Sequence, residues 1–496
     1  DHNGSRGLGD VYKRQISLLP CISKIVEKCV FNQLNEYFEK NELLYNSQYG
    51  YRQGHSTESA CLELIDKLHQ QLENSQRPFS IFIDLSKAFD TLNHSILISK
   101  LRYYGVDEHA IKWFKSYLSN RKQYVQIDEV KSSIKDIETG VPQGSTLGPL
   151  LFIIYMNDIS ASSNLLKSIL FADDTTLNSV LSIFPASNNV STSSFINREL
   201  NKITEWLRAN KLSLNAGKTK YMVFRYSQTP QRSIPKLDLI MDGKAIEKVD
   251  SFNFLGITIA ETLSWKLQID KIALKITKVV GVMNRIKNIV SSSILLKIYN
   301  SLILSHLHYG ILCWGFNSNK LFRLQKKAIR VIAKQKYNAH TDPLFKRYQL
   351  LKIEDIFKTQ SLKFLHKQKK GKVPKYFDTI FDTSQNNLTH NHNTRHRNSQ
   401  QPVITNRETT KCTIRYSIPK LFSNLNNDLR EKITTLSLEG FKSNLKKIYL
   451  DKYQSQCTKP RCLCLFSLIS SFFMMSFIYI VTMLCQTKSF ETLIFL

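Results

Sequence analysis

Phe171-Ala172-Asp173-Asp174 lies between an apolar run, Ser168-Ile169-Leu170-Phe171, and a β-prone run, Thr175-Thr176-Leu177. The pattern reads as strand, tight turn, strand, with two adjacent carboxylates at the tip. Neither strand pairing nor core packing needs two anions there, and their repulsion has to be offset by a cation. A third acid, Asp84, follows another apolar run, Phe79-Ser80-Ile81-Phe82-Ile83. Three carboxylates converging from two strands can hold a pair of Mg²⁺ ions, with nucleotide phosphates completing the shells. Two such ions, about 3.5–4 Å apart, clamp the attacking and leaving oxygens of an in-line displacement. An isolated Asp-Asp is more often just a polar turn, so the neighbouring sequence has to carry the reading.

Outward from this turn, strands and helices mix. Helical spacing of Val26, Val30, Leu34 and Tyr37 predicts a helix near 25–38. A basic, glycine-punctuated loop, Gln48-Tyr49-Gly50-Tyr51-Arg52-Gln53-Gly54-His55, precedes a helix opened by Ser56-Thr57-Glu58, with Cys61, Ile65, Leu68 and Leu72 on one face. Helices are expected at 95–104, 108–118, 149–157 and 197–209, and strands at 124–127 and 221–225. Leu237–Met241, the turn Asp242-Gly243 and Phe252–Ile259 read as one hairpin. Beyond 265 the pattern is helical: 265–289, 291–304, 320–336, 353–369 and 436–450, with polar loops near 186–194 and 384–411.

Composition narrows the partners. The chain has 496 residues, 42% hydrophobic, with a net charge of +29. Residues 261–460 hold 37 Lys and Arg against 12 Asp and Glu, an excess of 25. A helix-patterned segment that basic calls for a polyanion, most simply a nucleic acid backbone. The nine cysteines show no disulfide rhythm, and Cys457, Cys462 and Cys464 lack the partners of a zinc site, so free thiols in a reducing compartment are expected. His306, His308, His390, His392 and His396 have no acidic or Cys partners and read as solvated or nucleic-acid-facing. The sequence starts at Asp1 and its first Met is Met156, which suggests a fragment; residues 1–15 read as unstructured and foreign. No charge interrupts Leu463–Thr487, a length that suits a membrane span or translation past the functional end of a gene.

Phe82-Ile83-Asp84-Leu85-Ser86-Lys87-Ala88-Phe89-Asp90, Gly140-Val141-Pro142-Gln143-Gly144-Ser145 and Phe171-Ala172-Asp173-Asp174 resemble three successive core motifs of reverse transcriptases, in the wording of non-LTR retrotransposons. Asn215-Ala216-Gly217-Lys218-Thr219-Lys220 and Phe254-Leu255-Gly256-Ile257 resemble the next two, and Asn338-Ala339-His340-Thr341-Asp342-Pro343-Leu344 is similar to a thumb signature of jockey-like elements. The resemblance covers residues 16 to about 450.

It implies an α+β, right-hand polymerase: fingers and a ferredoxin-like palm over 16–260, a basic helical thumb over 261–383, a basic C-terminal region over 384–461, and the apolar tail 462–487 as a candidate transmembrane helix. The implied reaction is RNA-directed addition of dNTPs to a DNA 3′-end. Asp84, Asp173 and Asp174 would carry two Mg²⁺ ions, with Mn²⁺ able to substitute and the Leu85 carbonyl as a further ligand; Asp173 is expected to be the stronger of the pair. Lys218 would protonate pyrophosphate, Arg52 would meet phosphate, Phe89 would exclude a ribose 2′-hydroxyl, and Gln143 and Gly144 would lie against the incoming nucleotide. Phe254, Leu255 and Gly256 would position the primer. Partners are then an RNA template, a DNA primer or target and dNTPs, with the family's endonuclease domain outside this chain. An intracellular protein of cytoplasm and nucleus is expected, with a membrane location only through the apolar tail. The alternatives are a catalytically inactive retrotransposon remnant that only binds nucleic acid and an RNA-templated RNA polymerase, against which Phe89 speaks.

Overall fold

In the computed structural model, which describes residues 17–184, 191–230, 235–381 and 413–453, the apolar run before Asp84 becomes β1 (Pro78–Ile83), all six of its residues buried. It is flanked by β2 (Lys167–Phe171), β3 (Asp174–Val180), β4 (Lys220–Val223) and β5 (Glu247–Lys248) in the order β5-β4-β1-β3-β2. All pairings are antiparallel except the short β4–β5 ladder. Leaving β5 aside, the chain runs strand, helices, two strands, helix, strand, with the last strand beside the first: the ferredoxin-like arrangement. A strand with neighbours on both sides and both faces covered must read as a continuous apolar run. Phe79, Ile81 and Ile83 join the main core on one face. Phe82, on the other, stacks on Phe252 with centroids 4.0 Å apart.

Among the described residues, six α-helices accompany this sheet in sequence: α1 (Cys21–Lys40), α2 (Thr57–Glu73), α3 (His94–Tyr103), α4 (Glu108–Leu118), α5 (Gly148–Met156) and α6 (Thr192–Ala209). α2 starts where Ser56 accepts the Ser59 amide in a capping box, and it buries Cys61, Ile65, Leu68 and Leu72 as their spacing requires. α5 is apolar all round and correspondingly buried.

The single hairpin read between 237 and 259 is instead two. Ile240–Met241 pairs with Lys244–Ala245 around Asp242-Gly243, and Ser251–Phe254 (β6) pairs with Ile257–Ala260 (β7) around Leu255-Gly256. Both turns carry positive φ at both central residues, 53° and 73° in the first and 46° and 81° in the second, as a two-residue type I′ turn demands. The strand expected over 124–127 is also corrected: Arg121–Gln123 and Gln126–Ile127 pair with different partners, and Tyr124 falls in the gap.

These elements form one compact unit made of the described residues up to 265 together with 371–381 and 413–419; residues 266–370 and 420–453 form a second. Residues 371–381 and 413–419 thus group with the sheet-bearing unit. In the second unit, α7 (Lys266–Ile286) precedes Ser292–His308, where a π turn at Tyr299–Leu304 interrupts the expected continuous helix. Then come α8 (Asn319–Ile332), the short helix Asp342–Arg347, α9 (Ile353–Lys369), α10 (Asn427–Thr435) and α11 (Leu438–Asp451). Residues 266–370 and 420–453 carry 29 Lys and Arg against 8 Asp and Glu, so the basic charge is concentrated in this unit.

No helix among the described residues is long and apolar enough to cross a membrane. Residues 1–15, most of the 186–194 loop, the 384–411 stretch with its histidines, the last four cysteines with Cys412, and the tail 462–487 lie outside the described residues.

Candidate active site

The β2–β3 hairpin closes on the pair Phe171–Asp174, which leaves Ala172-Asp173 as a two-residue turn and Asp174 as the first residue of β3. Ala172 sits at φ 56° while Asp173 is not in the left-handed region, the pattern of a II′ turn. On the neighbouring strand Ile83 faces Thr175. Asp84 directly follows Ile83 and Asp174 directly precedes Thr175, and the two acids line the same cavity. Sequence spacing alone could not show that Asp174, the second acid of the pair, shares a cavity with Asp84.

Asp84 is fixed by its backbone. Its carbonyl accepts the Asn215 amide at 2.8 Å, and its own amide donates to Thr219 Oγ1 at 3.4 Å. Leu85, buried, pairs opposite Leu214 one residue later. The segment 215–219 is therefore wrapped around Asp84, which brings Lys218 Nζ to 3.9 Å from Asp84 Oδ2. With Lys218 72% and Asp84 36% exposed, the pair is largely solvated and contributes little to stability. Asp84, Asp174, Lys218, Lys220, Phe252 and Phe254 line one cavity of about 490 Å³, with the Leu255 turn at its edge.

Asp173 belongs to the other side of the turn. Burial, and after it the charge of Asp173, raise the Tyr51 phenol above its ordinary value. Tyr51 meets Phe89 edge to face at 6.2 Å, and Phe89 stacks on Phe152 of α5 at 4.3 Å. Phe89 is thus a half-buried ring held on two sides. Its carbonyl accepts the Val141 amide at 3.0 Å, which joins the strand-end segment to the 140–145 loop. In that loop Gln143 Nε2 donates to Asp90 Oδ1 at 3.0 Å, and the exposed Gly144 holds φ 110°, open to glycine and strained for other residues.

Arg52 differs from the free phosphate fork its loop suggests. Its Nε and Nη2 grip Glu39 at 2.9 and 2.8 Å, its Nη1 donates to the Tyr45 carbonyl at 3.0 Å, and its side chain is only 10% exposed. A bidentate arginine–carboxylate pair of this kind orders the loop.

Several residues that organise the site carry no sequence signal. Glu27, 1% exposed on α1, accepts the amides of Thr146 and Leu147 at 2.6 and 3.4 Å, at the start of α5 where Leu147 has no side-chain cap to offer. Gln48, fully buried, accepts the amide of Ala172 in the turn itself. A lone Glu or Gln on a polar helix or loop looks like a solvated surface residue until its partner 100 or more positions away is known.

For a divalent cation, the chemistry of the donor set fits in part. Asp84 and Asp174 offer two hard carboxylates lining one cavity, with Asp173 one residue off on the turn. Among the described residues no group of three His, Cys, Asp or Glu side chains is gathered tightly enough to enclose an ion by itself. Waters and phosphate oxygens would have to supply most of each shell, as is usual for Mg²⁺.

Residues 10–259 match the family described as reverse transcriptase (RNA-dependent DNA polymerase). The chain is 27% identical to the "Probable RNA-directed DNA polymerase from transposon BS" of Drosophila melanogaster, over 69% of this chain and 38% of that protein. It is 26% identical to the RNA-directed DNA polymerase from mobile element jockey of the same species, over 71% of this chain and 39% of that protein. It therefore spans under two fifths of the length of either relative. A solved structure of apo telomerase from Candida tropicalis aligns at TM-score 0.39 and 14% identity, over 66% of this chain and 53% of that one. The family match and the ferredoxin-like sheet order together bear out the α+β, right-hand polymerase fold expected from the sequence. The chain belongs to the reverse transcriptase (RNA-dependent DNA polymerase) family and is of the jockey-like, non-LTR kind.

Proposed function

We propose that this chain catalyses RNA-directed DNA synthesis for a mobile element, joining dNTPs to a DNA 3′-end on an RNA template. The observation that carries the reading is the cavity shared by Asp84, Asp174 and Lys218 at the end of the central sheet, on a chain whose family uses divalent metal ions. We assign two Mg²⁺ ions, replaceable by Mn²⁺, to Asp84, Asp174 and Asp173, with the Leu85 carbonyl adjacent. When bound, such ions supply Lewis acidity at both the attacking and the leaving oxygen.

The chain's own residues do the rest. Lys218, exposed and only loosely paired with Asp84, carries a proton to the departing pyrophosphate. Phe89, braced by Phe152 and Tyr51, is a wall against the sugar that leaves no space for a 2′-hydroxyl. Gln143, aimed by Asp90, and Gly144 lie against the nucleotide, the glycine permitting close backbone approach. Arg52 reaches a phosphate by exchanging Glu39 for it, one anion for another. Phe254, Leu255 and Gly256, as the tip of a tight hairpin on the cavity rim, meet the primer end. The sheet-bearing unit serves as fingers and palm, and the basic helical unit holds the nucleic acid backbone as a thumb.

Primer extension on poly(rA)/oligo(dT) with dTTP tests the reading, comparing the protein with its Asp84→Asn, Asp173→Asn and Asp174→Asn forms. Metal-dependent extension that each substitution abolishes is the expected result. An intact protein that extends no primer would overturn it.

A further inference from the structure

The loop Ser47–Gly50 runs beside β2 and joins it through one parallel bridge. The Leu170 amide donates to the Ser47 carbonyl at 2.9 Å, and the Leu170 carbonyl accepts from the Tyr49 amide at 2.7 Å, a parallel bridge centred on Gln48. Gln48 turns its Oε1 back to accept two amides, that of Gly50 at 2.9 Å and that of Ala172 at 3.3 Å. Gly50 touches the turn directly: a Cβ there would lie 2.4 Å from the Ala172 nitrogen and 3.1 Å from the Phe171 carbonyl carbon. Loop and turn therefore meet backbone to backbone, one residue before Asp173. Ala172 is an L-residue held at φ 56°, a conformation costing about 1–2 kcal/mol that persists only where the surroundings impose it.

One buried carboxylate of α2 braces the loop directly, and a second, beside it on the helix, ties that helix to the returning chain. Glu63, fully buried, accepts the Ser47 hydroxyl at 2.8 Å and is also bonded by the Tyr49 hydroxyl and the Lys67 ammonium. One turn along the helix, Asp66 accepts both arms of Arg415 at 3.1 and 2.8 Å and the Tyr376 hydroxyl at 2.7 Å. Lys67 lies 5.2 Å over the Tyr376 ring, which ties the two carboxylate clusters together.

We propose that Gln48 and Gly50 are positioning residues for the Asp173-Asp174 turn, and that Glu63 and Asp66, with Tyr376 and Arg415 of the returning chain, brace that clamp. The proposal rests on the polymerase reading only for its activity readout, because the clamp itself is a statement about the turn.

Amide hydrogen exchange at residues 172–174 is the direct test, run on the full chain and on its Gly50→Ala, Gln48→Met and Gln48→Glu forms. Loss of the clamp should speed exchange there by about tenfold or more, while core amides keep their protection. Gln48→Glu, which retains the accepting oxygen, should restore most of the protection. In primer extension, kcat should fall by up to about 100-fold from a turn misplaced by an ångström, with KM for dTTP within about twofold and the Mg²⁺ concentration for half activity raised. Arg415→Met should show the same pattern more weakly, and Arg415→Lys less again. Should Gly50→Ala not fold, Gln48→Met, which introduces no clash, carries the test. Unchanged exchange at 172–174, or an activity loss matched by loss of folded protein, would overturn the clamp. A parent chain that extends no primer, yet whose turn is protected and then released by these variants, would sink the proposed reaction and leave the clamp standing.

Discussion

Replacing Glu27 with alanine should destabilise the sheet-bearing unit more than any other single carboxylate deletion on α1. Glu27 is 1% exposed and caps, from another helix, the start of α5, whose own N-cap residue Leu147 makes no side-chain cap. Its removal strands the Thr146 amide, now bonded at 2.6 Å, and weakens the longer Leu147 bond at 3.4 Å. A buried donor left without a partner costs about 1–3 kcal/mol. Loss of an anion from a partly buried helix N-terminus adds up to about 2 kcal/mol. Some of this overlaps, since the same oxygen supplies both effects, so about 3 kcal/mol is expected for Glu27→Ala. Glu27→Gln keeps an oxygen for Thr146 but loses the charge and the oxygen that accepts the Tyr117 and Ser23 hydroxyls, groups that can turn to accept from the new amide instead, so about 1–2 kcal/mol is expected. Urea unfolding followed by tryptophan fluorescence suits the measurement, because Trp113 stacks on Tyr117 at 5.3 Å and Tyr117 donates to Glu27 at 3.2 Å. A Glu27→Ala cost below about 1 kcal/mol, or equal costs for the two variants, would refute the trans-capping argument.

His69, 4% exposed with Nδ1 unpartnered among the described residues, is held at a pKa of about 4 by burial, which Asp66 and Glu73 only partly oppose. The unfolded chain binds its proton first, so stability present above pH 6.5 is lost as pH falls toward 4, by about 3 kcal/mol; His69→Gln should flatten that slope in denaturant titrations run across the window. Gly281 sits inside α7 where a Cβ would meet nothing within 4 Å. Gly281→Ala should therefore stabilise the helical unit by about 1 kcal/mol, read as a rise in Tm, and an unchanged or lower Tm would show that the helix is distorted there. Phe89→Ala should lower the preference for dTTP over UTP, measured as the ratio of kcat/KM values, by about tenfold or more, and an unchanged ratio would remove the ring from sugar selection.

What the sequence made legible was local. The β1 run, the hairpin around Ala172-Asp173, the Ser56 cap of α2 and α4 at Glu108–Leu118 all follow from periodicity and turn chemistry acting within a dozen residues. The segment 237–260 was misread because Leu255 occupies a left-handed turn position that favours Gly, Asn or Asp, so nothing marked Leu255-Gly256 as a turn. Likewise, the π turn at Tyr299–Leu304 leaves the helical period of Ser292–His308 nearly intact. The candidate acids were legible as a set, but which of them lines a cavity with Asp84 depends on how β1 and β3 pair. The buried partners Glu27, Gln48 and Arg52–Glu39 were not legible at all, because a polar residue's burial is decided by what folds over it.

The chain crosses between its two units at 265–266, again at 370–371 and once more at 419–420. Arg415 closes on Asp66 across 349 positions and Tyr376 across 310, pairings that raise the contact order of the first unit well above what its hairpins alone would give. At about 5–20 residues per second of synthesis, Asp66 waits roughly 20–70 seconds before Arg415 has even been made. For that interval α2 presents carboxylates destined for burial to water, and the helical unit is being synthesised before the sheet-bearing unit can be completed. Folding of the first unit is thus coupled to the arrival of the last third of the chain, and a prematurely terminated product carries every motif of the site on an unfinished support.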